Sequence, residues 1–148
     1  MTALALLALG LHDLLDAVLS GAWPTPRRRW LARAGAALMA ARLQLLEALE
    51  PEVDRAYQQL TEGPKHVRLE YESSSVAPGA DQHALAHFTV ADLHGLMMDA
   101  FERVERQERE RGITLVGPHR DDLLIRLGDT PAKGYASHGE TWSIALSL

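Results

Sequence analysis

The run from Pro26 to Leu60 repeats apolar side chains at helical spacing, and it dominates what a chain of 148 residues can fold into. Leu31, Leu38, Leu45 and Leu49 recur every four to seven residues, with Ala34, Ala41 and Ala48 filling the same side. Such a stripe is what a helix with one apolar face requires. Leu43 and Leu46 broaden it, so at least two neighbours are expected to cover this helix. Ala34, Gly35, Ala36, Ala37, Ala40 and Ala41 keep part of its surface thin, which permits close helix contact. Pro51 either kinks the helix or starts a second one, because proline lacks a backbone donor and crowds the preceding turn. Val53, Ala56, Tyr57 and Leu60 then carry an apolar face on to Gly63-Pro64.

Around this run the periodicity changes several times. Residues 3–19 read as a short helix with Leu4, Leu7, Leu11, Leu14, Leu15 and Val18 near one face, ended by Gly21 and Pro24-Thr25-Pro26. From His66 to Glu72 the sequence alternates, with Val67, Leu69 and Tyr71 on one side and Arg68, Glu70 and Glu72 on the other. That is a half-buried strand. Ser73 to Asp81 is loop. Thr89 caps a further helix, with Asp92 in the capping-box position and an apolar stripe of Val90, Leu93, Met97, Ala100, Phe101 and Val104. Beyond Val104 the pairs Glu102–Arg106 and Glu105–Arg109 suit a solvated helix face, which Gly112 stops. Ile113 to Val116 and Leu123 to Leu127 read as short strands. Gly128-Asp129 is a turn, and Pro131 to Ala136 is a candidate return strand. A last helix opens after Ser137. The expected fold class is therefore α+β and mostly helical, with a small antiparallel β segment.

Composition excludes several functions. There is no cysteine, so neither a disulfide framework nor thiol chemistry is available, which fits a reducing cytoplasm. A net charge of −5 argues against a protein that coats nucleic acid along its whole surface. The charge is uneven, however. Arg27, Arg28, Arg29, Arg33 and Arg42 fall in a stretch free of acids and are the candidate DNA-binding residues. The apolar start lacks the basic residues of an export signal and is shorter than the roughly 20 residues of a membrane span. A cytoplasmic protein without membrane contact is expected.

Two short motifs carry the possible chemistry. Ser137-His138-Gly139-Glu140 has the Ser-x-x-Glu form of a capping box, which needs no further role. The same helix start would also offer unpaired N–H groups and a positive dipole end to a phosphate. Upstream, Gly117-Pro118-His119-Arg120-Asp121-Asp122 forms a corner between strands, in which Arg120 could simply pair with Asp121 or Asp122. His83 and His87, spaced four apart and followed by His94, with Asp81 and Asp92 nearby, have a spacing that could present two imidazoles to zinc. Without His-Glu-x-x-His or cysteine they read as surface or loop histidines. No metal site is expected.

The order of the corner motif and the Ser-x-Gly-Glu motif resembles the RecF family, bacterial DNA replication and repair proteins of the ABC-type, SMC-like ATPase class. The run RRRWLARAGAALMAARLQLLEALEPEVDRAYQQL is similar to the helical arm of actinobacterial-type members. The resemblance covers about residues 30–148. It implies an unassigned N-terminal helical segment over 1–29, a helical arm with one strand over 30–112, and a β-hairpin with the signature helix over 113–148, returning to an ATPase head. Ser137, Gly139 and Glu140 would be the ABC signature, touching ATP held by a second RecF-like head in an ATP-dependent homodimer. Many family signatures have Gln where this chain has Glu140. His119, Arg120, Asp121 and Asp122 would form a corner coupling nucleotide state to DNA or to the partner. The family's function is ATP-dependent DNA binding at gaps and single-strand/double-strand junctions, in recombinational repair and the SOS response with RecO and RecR. The alternative is a non-catalytic α+β interaction module or a truncated remnant.

Gly-x-x-x-x-Gly-Lys-Ser/Thr is absent, and neither Lys65 nor Lys133 follows a glycine. No strand ending in Asp-Glu supplies a Walker B motif. ATP and magnesium are therefore expected only in the context of the complete family protein. The chain itself reads as a fragment with no catalytic residue.

Overall fold

The computed structural model describes the backbone of residues 25–148 and side chains from Arg28 onward; the helix expected over 3–19 lies outside the described residues. The elements in chain order are helix α1 (Thr25–Leu60), strand β1 (Val67–Glu72), a 3-10 turn (His83–His87), helix α2 (Val90–Arg111), strand β2 (Asp122–Leu127), strand β3 (Thr130–Pro131) and helix α3 (His138–Ser147). The mostly helical α+β class read from the sequence is the class observed.

Helix α1 runs unbroken through Pro51, which resolves the choice between a kink and a second helix in favour of one continuous element. Its buried face is not the leucine stripe. Ala32, Ala36 and Met39 are fully buried, whereas Leu31, Leu38 and Leu45 are 39%, 46% and 60% exposed. Small side chains win the inner face because α2 crosses there at short range. A Cβ placed on Gly35 would lie 2.5 Å from Met97 Cε and 3.2 Å from Pro118 Cγ. The thin alanine-glycine surface thus does the work expected of it, and the leucines are turned outward.

Two cores result. One joins the N-terminal half of α1 to α2 through Ala32, Ala36, Met39, Leu93, Met97, Ala100 and Phe101, with Leu85 and Val116 closing it. The other joins the C-terminal half of α1 to the sheet and α3 through Val53, Tyr57, Val67, Leu69, Leu127 and Ile144. Burying these side chains contributes about 1.5–3 kcal/mol for each large one, before the opposing cost of chain ordering. Val90, expected in the stripe of α2, is half exposed at the first turn.

The sheet is antiparallel in the order β1-β2-β3, with Val67 opposite Leu127 and Glu72 opposite Asp122. Strand β1 is an edge, and α1 shields its free donors. Glu50 accepts from the Leu69 N–H at 2.7 Å and Asp54 from the Val67 N–H at 2.8 Å. A carboxylate on each of these two donors covers that part of the edge and hinders pairing with another strand. Gly128, with φ of 61°, makes the turn into β3.

Two expected strands do not form as read. Residues 113–116 are not a strand, because the Leu115 N–H is taken by the buried Glu108 carboxylate at 2.7 Å. The return strand stops at Pro131, after which the Tyr135 and Ala136 N–H groups turn back to the Ala132 carbonyl. Helix α2 begins and ends as its sequence indicates, with a reciprocal Thr89–Asp92 capping box and Gly112 left-handed at its C-cap. On its exposed end Glu105 pairs with Arg109 at 2.5 Å, but Arg106 reaches forward to Glu110 and not back to Glu102.

Candidate functional site

The Ser-His-Gly-Glu segment forms the N-terminus of α3. The Ser137 hydroxyl accepts from the Glu140 N–H at 3.3 Å, and the Ser137 N–H donates to Glu140 Oε2 at 2.7 Å. The capping box is therefore real. It occupies one of the two lone pairs of the hydroxyl. The N–H groups of His138 and Gly139, in the first turn, have no intrahelical acceptor, as at any helix start. Nothing lies within 4 Å of a Cβ built on Gly139, so this glycine faces open space. Trp142 donates its indole N–H to His138 Nε2 at 2.9 Å, and its ring is 60% exposed beside the helix start.

Glu140 departs from the expected family pattern, yet its charge is fully engaged. While Oε2 closes the cap, Oε1 receives Lys65 Nζ at 2.6 Å. The Lys65 ammonium, followed by the Ser137 hydrogen bonds, pulls the Glu140 carboxyl down to about 2. The same contact raises the Lys65 pKa. Lys65 is the site residue that sequence reasoning missed. It sits between α1 and β1, and only the antiparallel pairing of β1 with β2 brings it to α3. No local signal points to it.

The Gly-Pro-His-Arg-Asp-Asp corner separates into an inner and an outer half. Asp121 is the inner anchor: it accepts from the Tyr71 hydroxyl at 2.5 Å, the Ser74 N–H at 2.8 Å and the Ser74 hydroxyl at 2.7 Å. Tyr71 in turn accepts from Arg42, which also donates to the Pro118 carbonyl at 2.7 Å. Burial, then the bond to Asp121, pushes the Tyr71 hydroxyl up to about 12. Gly117, with φ of 134°, lies against the His119 ring, where a Cβ would come within 3.0 Å of Cε1. His119 shares a hydrogen bond with the Thr114 hydroxyl, and Arg120 donates to the Thr114 carbonyl. The local Arg120–aspartate pair open to the sequence does not form; Asp122 is exposed and caps only its own strand through the Leu123 N–H.

The four arginines whose side chains are described have different surroundings. Arg28 is drawn against α2 by Glu105 at 3.3 Å, and Arg42 is spent on the corner. Arg29 and Arg33, one helical turn apart, are exposed. The Arg27 side chain lies outside the described residues. Among the described residues no three His, Cys, Asp or Glu side chains converge as metal ligands. No described helix is long and apolar enough to cross a membrane.

No family model matches the chain. It is 54% identical over 118 residues to the DNA replication and repair protein RecF of Streptomyces avermitilis, covering 80% of this chain and 30% of that protein. It is 46% identical over 134 residues to RecF of an Arthrobacter species, covering 80% of this chain and 33% of the relative. The chain thus spans about a third of the length of the curated relatives it matches. Among solved structures, the fold is similar to the recombination mediator protein RecF-ATP in the RecFOR pathway. That match has a TM-score of 0.70, 20% identity, and coverage of 82% of this chain and 31% of the other. A RecF-ATPrS structure gives a TM-score of 0.66 at 19% identity, over 80% of this chain and 30% of the other.

Proposed function

We propose that this chain, RecF-like in sequence and fold over four-fifths of its length, supplies the arm and signature portion of an ATP-dependent DNA-binding protein of replication and repair. The observation that carries this reading is the start of α3. A serine hydroxyl at the cap, two N–H groups without intrahelical acceptors and a glycine facing open space stand together at that helix start. This is the arrangement that receives a phosphate presented by another polypeptide. The family resemblance identifies that phosphate as the terminal one of ATP on a second head.

In this reading Ser137 and Gly139 contact the nucleotide, and Glu140 does not. Its carboxylate is turned back on the cap and neutralised by Lys65, which removes the repulsion that a free acid would exert there. Magnesium and the groups that bind the other phosphates come from a complementary polypeptide carrying a P-loop. The corner around Asp121 holds α1, β1 and β2 in fixed relation, so displacement at α3 passes to the arm through the sheet. His119 and Arg120, exposed on the outer side of that corner, are the residues placed to meet DNA or a partner such as RecR or RecO. Arg29 and Arg33 extend the basic surface along the arm. Such chemistry belongs in the cytoplasm, where DNA and ATP meet.

The test is association. Mixing the purified chain with a polypeptide carrying a P-loop half should give a complex in sedimentation that forms with ATP and not without it. Ser137→Arg should abolish the complex, because its side chain fills the space in front of Gly139. A complex indifferent to both ATP and Ser137→Arg would refute the reading.

A further inference from the structure

The sequence groups Arg42 with Arg29 and Arg33 as a candidate DNA contact, but its place in the fold is different. Its Nη1 donates to the Pro118 carbonyl at 2.7 Å and to the Tyr71 hydroxyl at 3.3 Å. Gly35, two helical turns earlier on the same side of α1, lies close to the same proline: a Cβ built there would be 3.2 Å from Pro118 Cγ. Helix α1 therefore holds Pro118 at two points, the ring against Gly35 and the carbonyl on Arg42.

The corner needs such support because residues 113–121 belong to no helix or strand. Side chains and one turn set its shape instead. The Gly117 N–H goes to the Ser74 hydroxyl at 3.1 Å, and the Arg120 N–H closes a turn on the Gly117 carbonyl at 2.8 Å. Arg120 is exposed, and its Nε donates to the Thr114 carbonyl at 2.9 Å. The direction of this side chain thus follows the path of the corner. Arg42 ties that path to the arm with a charge-assisted hydrogen bond, stronger than a neutral one.

We propose that Arg42 is a positioning residue for DNA binding: it fixes Pro118, and through it the presentation of Arg120, and touches no phosphate itself. The inference rests on the reading that Arg120 meets DNA. It separates a charge that displaces counterions from the duplex from a charge that holds the backbone in place.

Salt dependence tells the two roles apart, because each phosphate contact adds about 1 to the slope of log affinity against log salt. With the full chain and a short duplex bearing a single-stranded tail, Arg120→Ala should lower that slope by about 1. In that background, adding Arg42→Ala should change neither affinity nor slope, since the side chain it supports is gone. A further loss of about 1 in slope would make Arg42 a phosphate contact and overturn the proposal. Alone, Arg42→Ala should weaken binding by no more than Arg120→Ala does. It should also speed amide exchange at Gly117 and Arg120 by about tenfold, the loss of one charge-assisted hydrogen bond. Exchange at Met97, in the core between α1 and α2, should stay as in wild type and so report an intact fold. Unchanged exchange at the corner would overturn the proposal whatever the DNA result. If Arg120→Ala binds as wild type does, the assignment of Arg120 to DNA falls and this proposal with it, while the exchange data still show whether Arg42 holds the corner.

Discussion

Lys65 and Glu140 lie 75 positions apart, and their side chains meet at 2.6 Å across the outer end of the sheet. This contact clasps the junction of α1 and β1 to the first turn of α3. It also settles the orientation of a carboxylate that would otherwise be free to swing in front of the helix N-terminus. A glutamate can therefore stand at this position without spoiling the positive end of the helix, provided the lysine stays.

The first prediction concerns that clasp. Lys65→Met should leave the fold intact but free Glu140 Oε1, weakening ATP-dependent association with a P-loop half. Glu140→Gln in the same chain should restore it, because an amide still closes the cap and carries no charge. Equal association by wild type and Lys65→Met, measured by sedimentation, would reduce the pair to a surface contact of little consequence.

The second concerns pH. The Glu140 carboxyl is held at about 2 against an ordinary 4.5, so its contribution to stability is present above about 4.5 and is lost as pH falls towards 2. Glu140→Gln removes that dependence. The stability difference between wild type and the Gln variant should therefore shrink steadily from pH 4.5 to pH 2 in denaturant titrations. A difference constant across that window would show that the carboxylate is not engaged.

The third concerns Asp121. Its oxygens take the Tyr71 hydroxyl, the Ser74 N–H and the Ser74 hydroxyl, so Asp121→Ala strands several donors in a half-buried site. A loss of about 2–4 kcal/mol is expected from donors left without acceptors. Asp122→Ala, at an exposed position, should change stability by no more than about 0.5 kcal/mol. The contrast distinguishes an anchor from its neighbour, which the sequence could not do for two adjacent aspartates.

The fourth concerns Gly35, against which Met97 packs closely. Gly35→Leu should cost about 1–3 kcal/mol through overpacking, despite leucine's better helix propensity. Ala37→Gln, at an exposed position two residues on, is the matching control for a site where the described core makes no demand. A thermal melt of Gly35→Leu equal to wild type would mean that α2 can move away from α1 at no cost.

Elements with a local cause were legible in the sequence. Val67, Leu69 and Tyr71 alternate because one face of β1 is buried, and Thr89-x-x-Asp92 and Ser137-x-x-Glu140 announce helix starts by satisfying their own donors. The face of α1 was not legible, because it carries two apolar sides and spacing alone cannot say which meets α2. Gly35 held the answer: a bare backbone marks the point of closest approach, whereas the leucines mark only hydrophobicity. Residues 113–116 misled for a different reason. Four apolar-leaning residues look like a strand, but Glu108, one helical turn before Gly112, claims the Leu115 donor that a sheet would have needed. Nor could the sequence show that Arg28 meets Glu105 and Arg42 the Pro118 carbonyl, since those partners are distant along the chain.

The last prediction separates a helix cap from a nucleotide contact at Ser137. Aspartate is as good an N-cap as serine, so Ser137→Asp should keep the melting temperature of the chain, whereas Ser137→Ala should cost about 1 kcal/mol of stability. If the hydroxyl serves only the Glu140 N–H that it accepts, association with a P-loop half should follow that order, with Asp equal to wild type. If it also donates to a phosphate, the order reverses. Ser137→Ala then loses one hydrogen bond and binds more weakly. Ser137→Asp places a new negative charge where the phosphate arrives, beside a glutamate whose own charge Lys65 already consumes. The Asp variant should then show unchanged melting and no ATP-dependent complex. Unchanged melting with unchanged association would leave Ser137 as a cap alone.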